Sequence, residues 1–585
     1  MKILLVYPQF IDNRINEEDV STVPMGLYFV GAMLRSHGYP VDIFNAYDRG
    51  RTHSNIRYVI EHDKPDVVGF SILHANRWGG IDIARLVKEV HPQATTIFGG
   101  VGATFLWEHF LDHFPEIDYI VRGEGEHSFL ELVRFLEKGK AGPPIDIQGI
   151  AFRRKGQPHK TPDREPVADL DSLPMPADYF RFQHVSLTRG CPADCTFCGS
   201  PAIWKRKVRF HSADYFVSQI TKLHKKGITF FFVSDDTFTL NKNRVIKICK
   251  RIIEKQLPIA WTAISRVDCV DAELLEWMRR AGCTQISYGV ESGSPTIRRL
   301  FKKNTRAEAI HAAFALTSRF GMMARAYFIY GAPGESDETI QESLEMIRKI
   351  RPLSAIFYIL DLFPGTALYE TFKKRSGVND DIWLDRVEDI LYFQTDESLN
   401  EESVLAFGRR LRRGYFKMLP QFAEKLELED DPNLYPLHAD FLSRLALTFS
   451  HGDYANNQRI ENGTQTAIGL FKRSLAYHPD HRAFWGLGLV YQQMGRFEDA
   501  AEILKKGVKE YPESIDLHLT LAQSLTRLQR PTEARHYLES LPDHPQVLEW
   551  IIRCCRMMGD KEGEKRSKHR LQRTFRPTPT KDGYP

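Results

Sequence analysis

Three cysteines lie close together in the first half of the chain, in the run C-x3-C-x2-C formed by Cys191, Cys195 and Cys198. Thiolates at this spacing on one loop can surround a single iron–sulfur cubane, because soft sulfur ligands suit such clusters. A cubane has four irons, and three cysteines ligate only three of them. The fourth iron stays open to an exogenous ligand, which a catalytic cluster needs and an electron-transfer cluster does not.

Two other interpretations of these cysteines are a zinc site and a set of incidental loop residues. A zinc site would want a fourth Cys or His, and His211 is a residue that could complete it. Eight cysteines in 585 residues are too sparse for a disulfide framework. The others lie in apolar or helical contexts typical of buried thiols: Cys249, Cys269, Cys283, Cys554 and Cys555.

The cysteine run follows a strand-like segment that opens a series between about residues 184 and 365. The segments are HVSLTRG, ITFFFVSDD, IAWTAISR, QISYGVESG, ARAYFIYG and AIFYILDLFPG, and they alternate with helical sequence. Strands and helices in this order predict a (β/α)6 partial barrel, whose chemistry should lie at the carboxyl ends of the strands. We place this core at residues 184–405.

The first 140 residues contain a second alternating series, with the strand-like runs KILLVYP, VDIFNA, DVVGFS, TTIFGG and DYIVRG. They predict an α/β domain with a five-stranded doubly wound parallel sheet, which binds ligands outside the carboxyl ends of its strands. Glycines and small polar residues collect there, at Ser71, Gly99–Thr104 and Gly123–Glu126. Glycine lets the backbone approach a bulky ligand, although each turn alone could be an ordinary strand-to-helix turn.

The remaining segments predict a linker, a connector and a helical repeat. Residues 141–183 are rich in proline and are predicted to form a linker with a small hairpin in IQGIAFRRKGQPHKT. Residues 406–440 are predicted to form a helical connector. The stretch GRFEDA aligns with QRPTEA at a spacing of 34 residues, which is typical of tetratricopeptide hairpins. We expect an all-α solenoid over 441–571, clearest at 481–514, and a disordered tail over 572–585.

The overall composition excludes several classes of protein. The net charge is only +4, so no nucleic-acid partner is expected. The chain has no run of about 18 apolar residues, and its N-terminus lacks the long apolar region of a secretory signal. We therefore expect a cytoplasmic protein.

At the cysteine motif the chain resembles the radical S-adenosylmethionine (radical SAM) superfamily, over about residues 184–365. The resemblance implies a [4Fe–4S] cluster on Cys191, Cys195 and Cys198 whose open iron chelates S-adenosylmethionine. Reduction then cleaves that molecule to a 5′-deoxyadenosyl radical. The matching positions also imply further cofactor contacts, by Phe197, Asp235, Asp236, Arg266, Glu291, Ser292 and Gly331.

With such a barrel behind it, the N-terminal sheet resembles the cobalamin-binding domain of the cobalamin-dependent subclass. The matching positions imply cobalamin contacts by Gly26, Ser71, Gly99, Gly100, Thr104, Glu124 and Gly125. The chain departs from many relatives at Gly102, where they have His. An Asp-x-His-x-x-Gly loop is absent from residues 1–140, so the lower face of the cobalt should lack a histidine ligand. A flavodoxin-like sheet for another cofactor is the alternative.

Together these resemblances imply an enzyme that methylates an unactivated carbon through a 5′-deoxyadenosyl radical and methylcobalamin. It would need a reducing electron donor and a small-molecule or lipid-like substrate. One alternative keeps the same cofactors for oxidative cyclisation or carbon–carbon coupling. The other is a non-catalytic adaptor whose tetratricopeptide segment recruits a protein partner, against which the intact cysteine motif argues.

Overall fold

The computed structural model describes residues 1–9, 25–46, 53–139, 142–396 and 398–574. The chain divides into two compact units. The first contains Met1–Thr317 and Ala324–Tyr415, and the second contains Ser318–Met323 and Phe416–Pro585. The first unit therefore includes both the predicted N-terminal domain and the predicted barrel.

The N-terminal part of the first unit is a sheet with helices packed on it. Its elements are β1 (Ile3–Tyr7), α1 (Met25–Ser36), β2 (Val41–Asn45), α2 (His53–Asp63), β3 (Val67–Ser71), α3 (Arg77–Val90), β4 (Thr95–Gly99), α4 (Val101–Phe105), α5 (Trp107–His113), β5 (Tyr119–Val121) and α6 (Gly125–Glu137). The strands pair in parallel in the order β2-β1-β3-β4-β5. The predicted doubly wound sheet is confirmed, and β1 is buried throughout, as a central parallel strand should be.

The hairpin predicted inside the linker is present, but it belongs to this sheet. β6 (Ile150–Arg154) pairs antiparallel with β5, and β7 (Gln157–Lys160) pairs antiparallel with β6. The interpretation of residues 141–183 as a linker is therefore wrong for 150–160. The hairpin covers the open edge of β5 and satisfies its backbone groups. A short helix, α7 (Pro176–Tyr179), precedes the barrel.

A second sheet forms the barrel core. Its elements are β8 (His184–Val185), β9 (Thr188–Arg189), α8 (Ser200–Trp204), β10 (Arg209–Phe210), α9 (Ala213–Lys225), β11 (Phe230–Val233), α10 (Lys242–Glu254), β12 (Ala260–Ser265), α11 (Ala272–Arg280), β13 (Cys283–Glu291), α12 (Pro295–Leu300), α13 (Ala307–Arg319), β14 (Met323–Tyr330), α14 (Asp337–Ile350), β15 (Ser354–Ile359), α15 (Ala367–Ser376) and α16 (Glu401–Glu424). The strands are ordered β15-β14-β13-β12-β11-β8, and β9 pairs only with β10. This confirms the (β/α)6 partial barrel.

The second unit is helical. Its further elements are α17 (Tyr435–Ser450), α18 (Gly463–Tyr477), α19 (His481–Gln493), α20 (Phe497–Glu510), α21 (Ile515–Arg527), α22 (Pro531–Glu539), α23 (Pro545–Met558) and α24 (Lys561–Thr574). Ala467, Ala500 and Ala534 recur at spacings of 33 and 34 and are all fully buried, as small residues at repeated helix crossings should be.

The C-terminal end of this unit differs slightly from the sequence-based expectation. α24 continues to Thr574, so residues 572–574, expected in the disordered tail, are helical. The rest of that tail lies outside the described residues. Among the helices that the structure describes, none combines the length and apolar character that a membrane span requires.

Candidate functional site

The three motif cysteines line one cavity of about 160 Å³ at the carboxyl ends of the barrel strands, here called the cysteine cavity. Cys191 and Cys195 are buried, and Cys198 is half-buried. The other lining residues are Ala193, Phe197, Ser200, Pro201, Asp236, Thr237, Ile264, Ser265, Arg266, Gly289, Glu291, Lys303 and Tyr327. The structure thus brings Phe197, Asp236, Arg266 and Glu291 together with the cysteines, as the sequence predicts.

A buried carboxylate fixes the chain just before the cysteines. Asp235 accepts hydrogen bonds from the backbone N–H groups of Leu187 and Thr188, the shortest at 2.6 Å. Burial raises the pKa of Asp235 to about 7, against the opposing effect of these donors. Asp235 does not line the cysteine cavity; its carboxylate holds the backbone of Leu187 and Thr188, which directly precede the cysteine loop.

Cys195 and Cys198 lie in surroundings that disfavour free thiolates. Burial raises the pKa of Cys198 to about 12 and also raises that of Cys195, although Lys303 opposes the shift at Cys195. A bound metal supplies the positive charge that lets such thiols ionise. Three soft donors on one cavity wall therefore fit an iron–sulfur cluster.

An ion pair closes one side of the cysteine cavity. Lys303 Nζ lies 3.0 Å from Glu291 Oε1, and both side chains are only 9% exposed. Glu291 adopts φ +66°, in the left-handed region that non-glycine residues rarely occupy. A Cβ at Gly289 would lie 2.2 Å from Glu291 Oε1 and 2.7 Å from Lys303 Nζ. The glycine at 289 is therefore what makes room for this pair.

Two other predicted barrel contacts lie outside the lining of the cysteine cavity. Ser292 is fully buried, and its hydroxyl lies 3.3 Å from that of Ser343 on α14. Gly331 has φ +80°, and its N–H donates to the Glu335 carboxyl, whose pKa burial raises to about 7. The two residues lie in the turns after β13 and β14, respectively, and neither is among the residues that line that cavity.

His211 has another partner and is not positioned as a fourth zinc ligand. Its Nδ1 lies 3.0 Å from Asp171 Oδ1, and its ring stacks on Tyr215 at 4.1 Å between ring centres. It is fully buried and is not among the residues that line the cysteine cavity. The geometry therefore does not support the zinc alternative.

A larger cavity of about 340 Å³ lies between the N-terminal sheet and the barrel, inside the first unit. It is called the glycine cavity because six of its lining residues are glycines. It is lined by Met25, Gly26, Leu27, Phe29, Val30, Phe70, Ser71, Gly99, Gly100, Val121, Gly123, Glu124, Gly125, Glu126, Phe129, Ser186, Thr188, Arg189, Gly190, Trp204, Ser234 and Asp236. Every predicted N-terminal contact except Thr104 lines this cavity, and no histidine does so within the described residues.

Thr104 supports the wall of the glycine cavity from behind. Its hydroxyl donates to the Gly100 carbonyl at 2.8 Å and accepts from the Gly123 N–H at 3.0 Å. Gly100 has φ 91° and ψ 179°, a region that essentially only glycine occupies. A Cβ at Gly102 would lie 2.6 Å from the Leu73 backbone, so no side chain fits there in this chain.

A buried ion network joins the two halves of the glycine cavity. Arg189, from the barrel, pairs with Glu124 at 2.8 Å and with Glu126 at 2.6 Å, and Arg209 also pairs with Glu124 at 2.9 Å. Burial alone would raise the pKa of Glu124, but Arg209 and Arg189 outweigh it and hold that pKa below its ordinary value. Glu124 thus ties the sheet to the barrel while it lines the cavity.

The sequence alone did not single out Lys303, Arg189 or Trp204. Lys303 lies in the ordinary-looking stretch LFKKNT, and only the folded chain brings it to Glu291. Arg189 directly precedes the Gly-Cys pair of the motif. That position next to the motif was the one available signal for it.

Two family models cover the two halves of the first unit. The radical SAM superfamily model matches residues 185–347, and the B12 binding domain model matches residues 19–133. A third model, described as anaphase-promoting complex, cyclosome, subunit 3, matches residues 461–541 in the second unit. These matches coincide with the barrel, the N-terminal sheet and the helical repeat.

Curated relatives align with nearly two thirds of the chain. An uncharacterized methyltransferase of Pyrococcus horikoshii is 32% identical over 382 residues, covering 63% of this chain and 83% of that protein. The anaerobic magnesium-protoporphyrin IX monomethyl ester cyclase of Rubrivivax gelatinosus is 27% identical over 398 residues, covering 65% of this chain and 71% of that protein.

Among solved structures, the cobalamin-dependent S-adenosylmethionine radical enzyme OxsB, with aqua-cobalamin and S-adenosylmethionine bound, has a similar fold. The TM-score is 0.56 at 16% sequence identity, and the alignment covers 90% of this chain and 83% of that one. At this identity the likeness concerns the fold alone.

Proposed function

Because the chain belongs to the radical SAM superfamily and carries a B12 binding domain ahead of its barrel, we propose that it transfers a methyl group to an unactivated carbon. S-adenosylmethionine serves in this proposal as both radical source and methyl source. The name of the relative from Pyrococcus horikoshii supports methyl transfer over ring formation.

The two cavities fit two different cofactors. When bound, the [4Fe–4S] cluster with S-adenosylmethionine supplies a hydrogen-abstracting radical, and cobalamin supplies a methyl carrier. The cysteine cavity offers three thiols for the cluster. The glycine cavity includes Ser71, Gly99 and Gly100 at the carboxyl ends of β3 and β4, where open α/β sheets bind ligands.

The observation that carries the proposal is the wall that the two cavities share. Asp236 lines both of them. Its carboxyl accepts a hydrogen bond from Ser200 Oγ at 2.7 Å, and Ser200 lies two residues after the last motif cysteine. A methyl carrier in one cavity and a radical source in the other would therefore act on a substrate held between them.

The side chains of the cysteine cavity suit an amino-acid cofactor. Arg266 and Lys303 are positive and Glu291 is negative, and all three line the cavity. The methionine portion of S-adenosylmethionine carries both an ammonium and a carboxylate, so this set offers a counter-charge to each. Phe197, edge-on to Phe301 with ring centres 4.9 Å apart, offers an aromatic surface for the adenine.

The test is an anaerobic assay of the full-length chain reconstituted with iron, sulfide and cobalamin. Reductant and S-adenosylmethionine are added, and 5′-deoxyadenosine and S-adenosylhomocysteine are quantified. The C191A/C195A/C198A variant is the matched control. We expect both products from the native chain and neither from the variant.

Other outcomes would change the proposal. 5′-Deoxyadenosine without S-adenosylhomocysteine would contradict methyl transfer and favour cyclisation or coupling. Neither product from a cluster-loaded native chain would overturn the enzymatic proposal and favour the adaptor.

Four finer assignments extend the proposal. The acceptor is a small molecule, with lipid-like compounds as the first class to screen, and the electrons come from a separate reducing donor. The second unit, which the subunit 3 model matches, recruits a protein partner. A cytoplasmic location accords with eight unpaired cysteines, and cell fractionation would test it.

A further inference from the structure

A second group of metal-ligating side chains lies away from both cavities. It consists of His109 and His113 on α5, together with Asp381 in the turn Asp380–Leu384 that follows α15. One ligand atom from each residue lies within 4.8 Å of the other two. None of the three lines the cysteine cavity or the glycine cavity.

The distances in this group match those of metal ligands. His113 Nε2 lies 2.9 Å from Asp381 Oδ1, and His109 Nδ1 lies 3.8 Å from the same oxygen. Ligands held tetrahedrally about 2.0–2.1 Å from zinc are separated by roughly 3.4 Å. The two observed distances lie on either side of that value.

His109 supplies an independent indication of a missing partner. Its side chain is only 2% exposed. Within the part of the chain that the structure describes, neither of its ring nitrogens has a hydrogen-bond partner. A buried polar group without a partner is costly, so a native structure normally gives it one. A cation beside Asp381 would give Nδ1 that partner.

Neighbouring residues orient the Asp381 carboxylate. Asn379 Nδ2 donates to Asp381 Oδ2 at 3.0 Å, which leaves Oδ1 turned toward the histidines. Trp383, two residues later, is fully buried and donates to the Tyr369 hydroxyl at 2.8 Å. Such outer contacts hold ligating carboxylates in place. His113 and Asp381 are 34% and 51% exposed, so an ion can enter from solvent.

We propose that His109, His113 and Asp381 form a binding site for a divalent transition metal of the zinc class. Imidazole and carboxylate are ligands that such ions accept, and water would complete the coordination. The ion joins α5 of the N-terminal sheet to the segment after the barrel. The site is separate from the cluster, and its role is to hold these two segments together.

The first measurement is zinc binding by the tag-free full-length chain with its cluster loaded, by equilibrium dialysis against Zn²⁺ and metal analysis. We expect one zinc per chain. His113→Ala and Asp381→Asn should each weaken binding by at least about tenfold, since even outer-sphere changes at metal sites reach that size. His311→Ala, an exposed histidine elsewhere on the first unit, should leave binding unchanged.

The second measurement removes the cysteines as competing ligands. The C191A/C195A/C198A chain should still bind one zinc, with X-ray absorption showing nitrogen and oxygen at about 2.0–2.1 Å and no sulfur at about 2.3 Å. Absence of saturable binding in both proteins, or binding that His113→Ala and Asp381→Asn leave unchanged, would overturn the proposal.

Discussion

The cysteine cavity and the glycine cavity are built in different ways, although Asp236 belongs to both. The first is walled by reactive and charged side chains on strand ends of one sheet. The second has six glycines among its lining residues, and an ion network between sheet and barrel closes it. Side chains of a particular type define the first cavity, whereas glycines leave space along part of the wall of the second.

This difference predicts that a substitution in one cavity abolishes loading of the cofactor in that cavity and leaves the loading of the other cofactor unchanged. The largest effect is expected from C191A/C195A/C198A, which removes every thiol of the cysteine cavity. Iron and sulfide content and 5′-deoxyadenosine formation should fall to background, while cobalamin loading remains. Cys249→Ala, at a buried cysteine of α10, is the control and should keep both. Equal loss of cobalamin in the triple variant would show that the cavities are not separate.

The glycine cavity should be broken by adding one methyl group. In Gly100→Ala the new Cβ would lie 2.7 Å from the Ile72 carbonyl oxygen, at a φ of +91° that other residues avoid. We expect loss of cobalamin loading and about 3 kcal/mol of stability. Gly469→Ala is the control, because Gly469 lies in α18, is not among the residues that line the glycine cavity, and has nothing within 4 Å of its Cβ position. Cobalamin retention after desalting and the melting temperature provide the measurement, and equal behaviour of the two variants would contradict the steric argument.

Breaking the ion network should have a smaller effect that depends on pH. Glu124→Gln removes one of the two carboxylates that balance Arg189, and we expect a loss of about 2 kcal/mol, in the range of a charge-assisted hydrogen bond. Because the pKa of Glu124 is held below its ordinary 4.5, its stabilisation is complete above pH 4.5 and is lost as the pH falls through the lowered value.

The melting temperature measured from pH 7 down to pH 3 tests this prediction. The native chain should lose stability over the acid part of the range more steeply than Glu124→Gln does. Parallel curves for the two proteins would show that Glu124 titrates in the folded state as it does in the unfolded chain.

The smallest effect is expected where the two cavities meet. Asp236→Asn keeps the shape of the side chain and removes its charge, and we expect both cofactors to load normally. The rate of 5′-deoxyadenosine formation should fall about tenfold, the equivalent of one modest hydrogen bond. Ser234 lines the glycine cavity and not the cysteine cavity. Ser234→Ala should therefore leave that rate unchanged. A change in cofactor loading rather than in rate would assign Asp236 a structural role.

Much of this architecture could be predicted from local sequence. The motif cysteines, the turns after β3, β4 and β5 and the repeat spacing each depend on residues close together in the chain. The grouping of Phe197, Asp236, Arg266 and Glu291 beside the cysteines could be predicted from strand order alone. Parallel strands bring their carboxyl ends to one edge of the sheet.

The rest depended on contacts between distant residues. The hairpin of β6 and β7 joins the sheet by pairing with the open edge of β5. No local sequence pattern predicts this pairing. Lys303 reaches Glu291 only once α12 has packed. Asp235 and Asp236 are neighbours in sequence but point to different places. The Asp235 carboxyl accepts a hydrogen bond from the backbone N–H of Thr188, whereas Asp236 lines both cavities. The fold sets the direction of each side chain. Because both residues are aspartates, the sequence alone could not assign them different roles.

The most direct test of the central claim follows the methyl group between the two cavities. The full-length chain, loaded with cluster and cobalamin, is incubated anaerobically with reductant and methyl-labelled S-adenosylmethionine, and the cobalamin is then released and analysed. The account predicts label in the cobalamin of the native chain and none in the cobalamin that C191A/C195A/C198A retains. Fully loaded cobalamin that stays unlabelled while 5′-deoxyadenosine accumulates would contradict it.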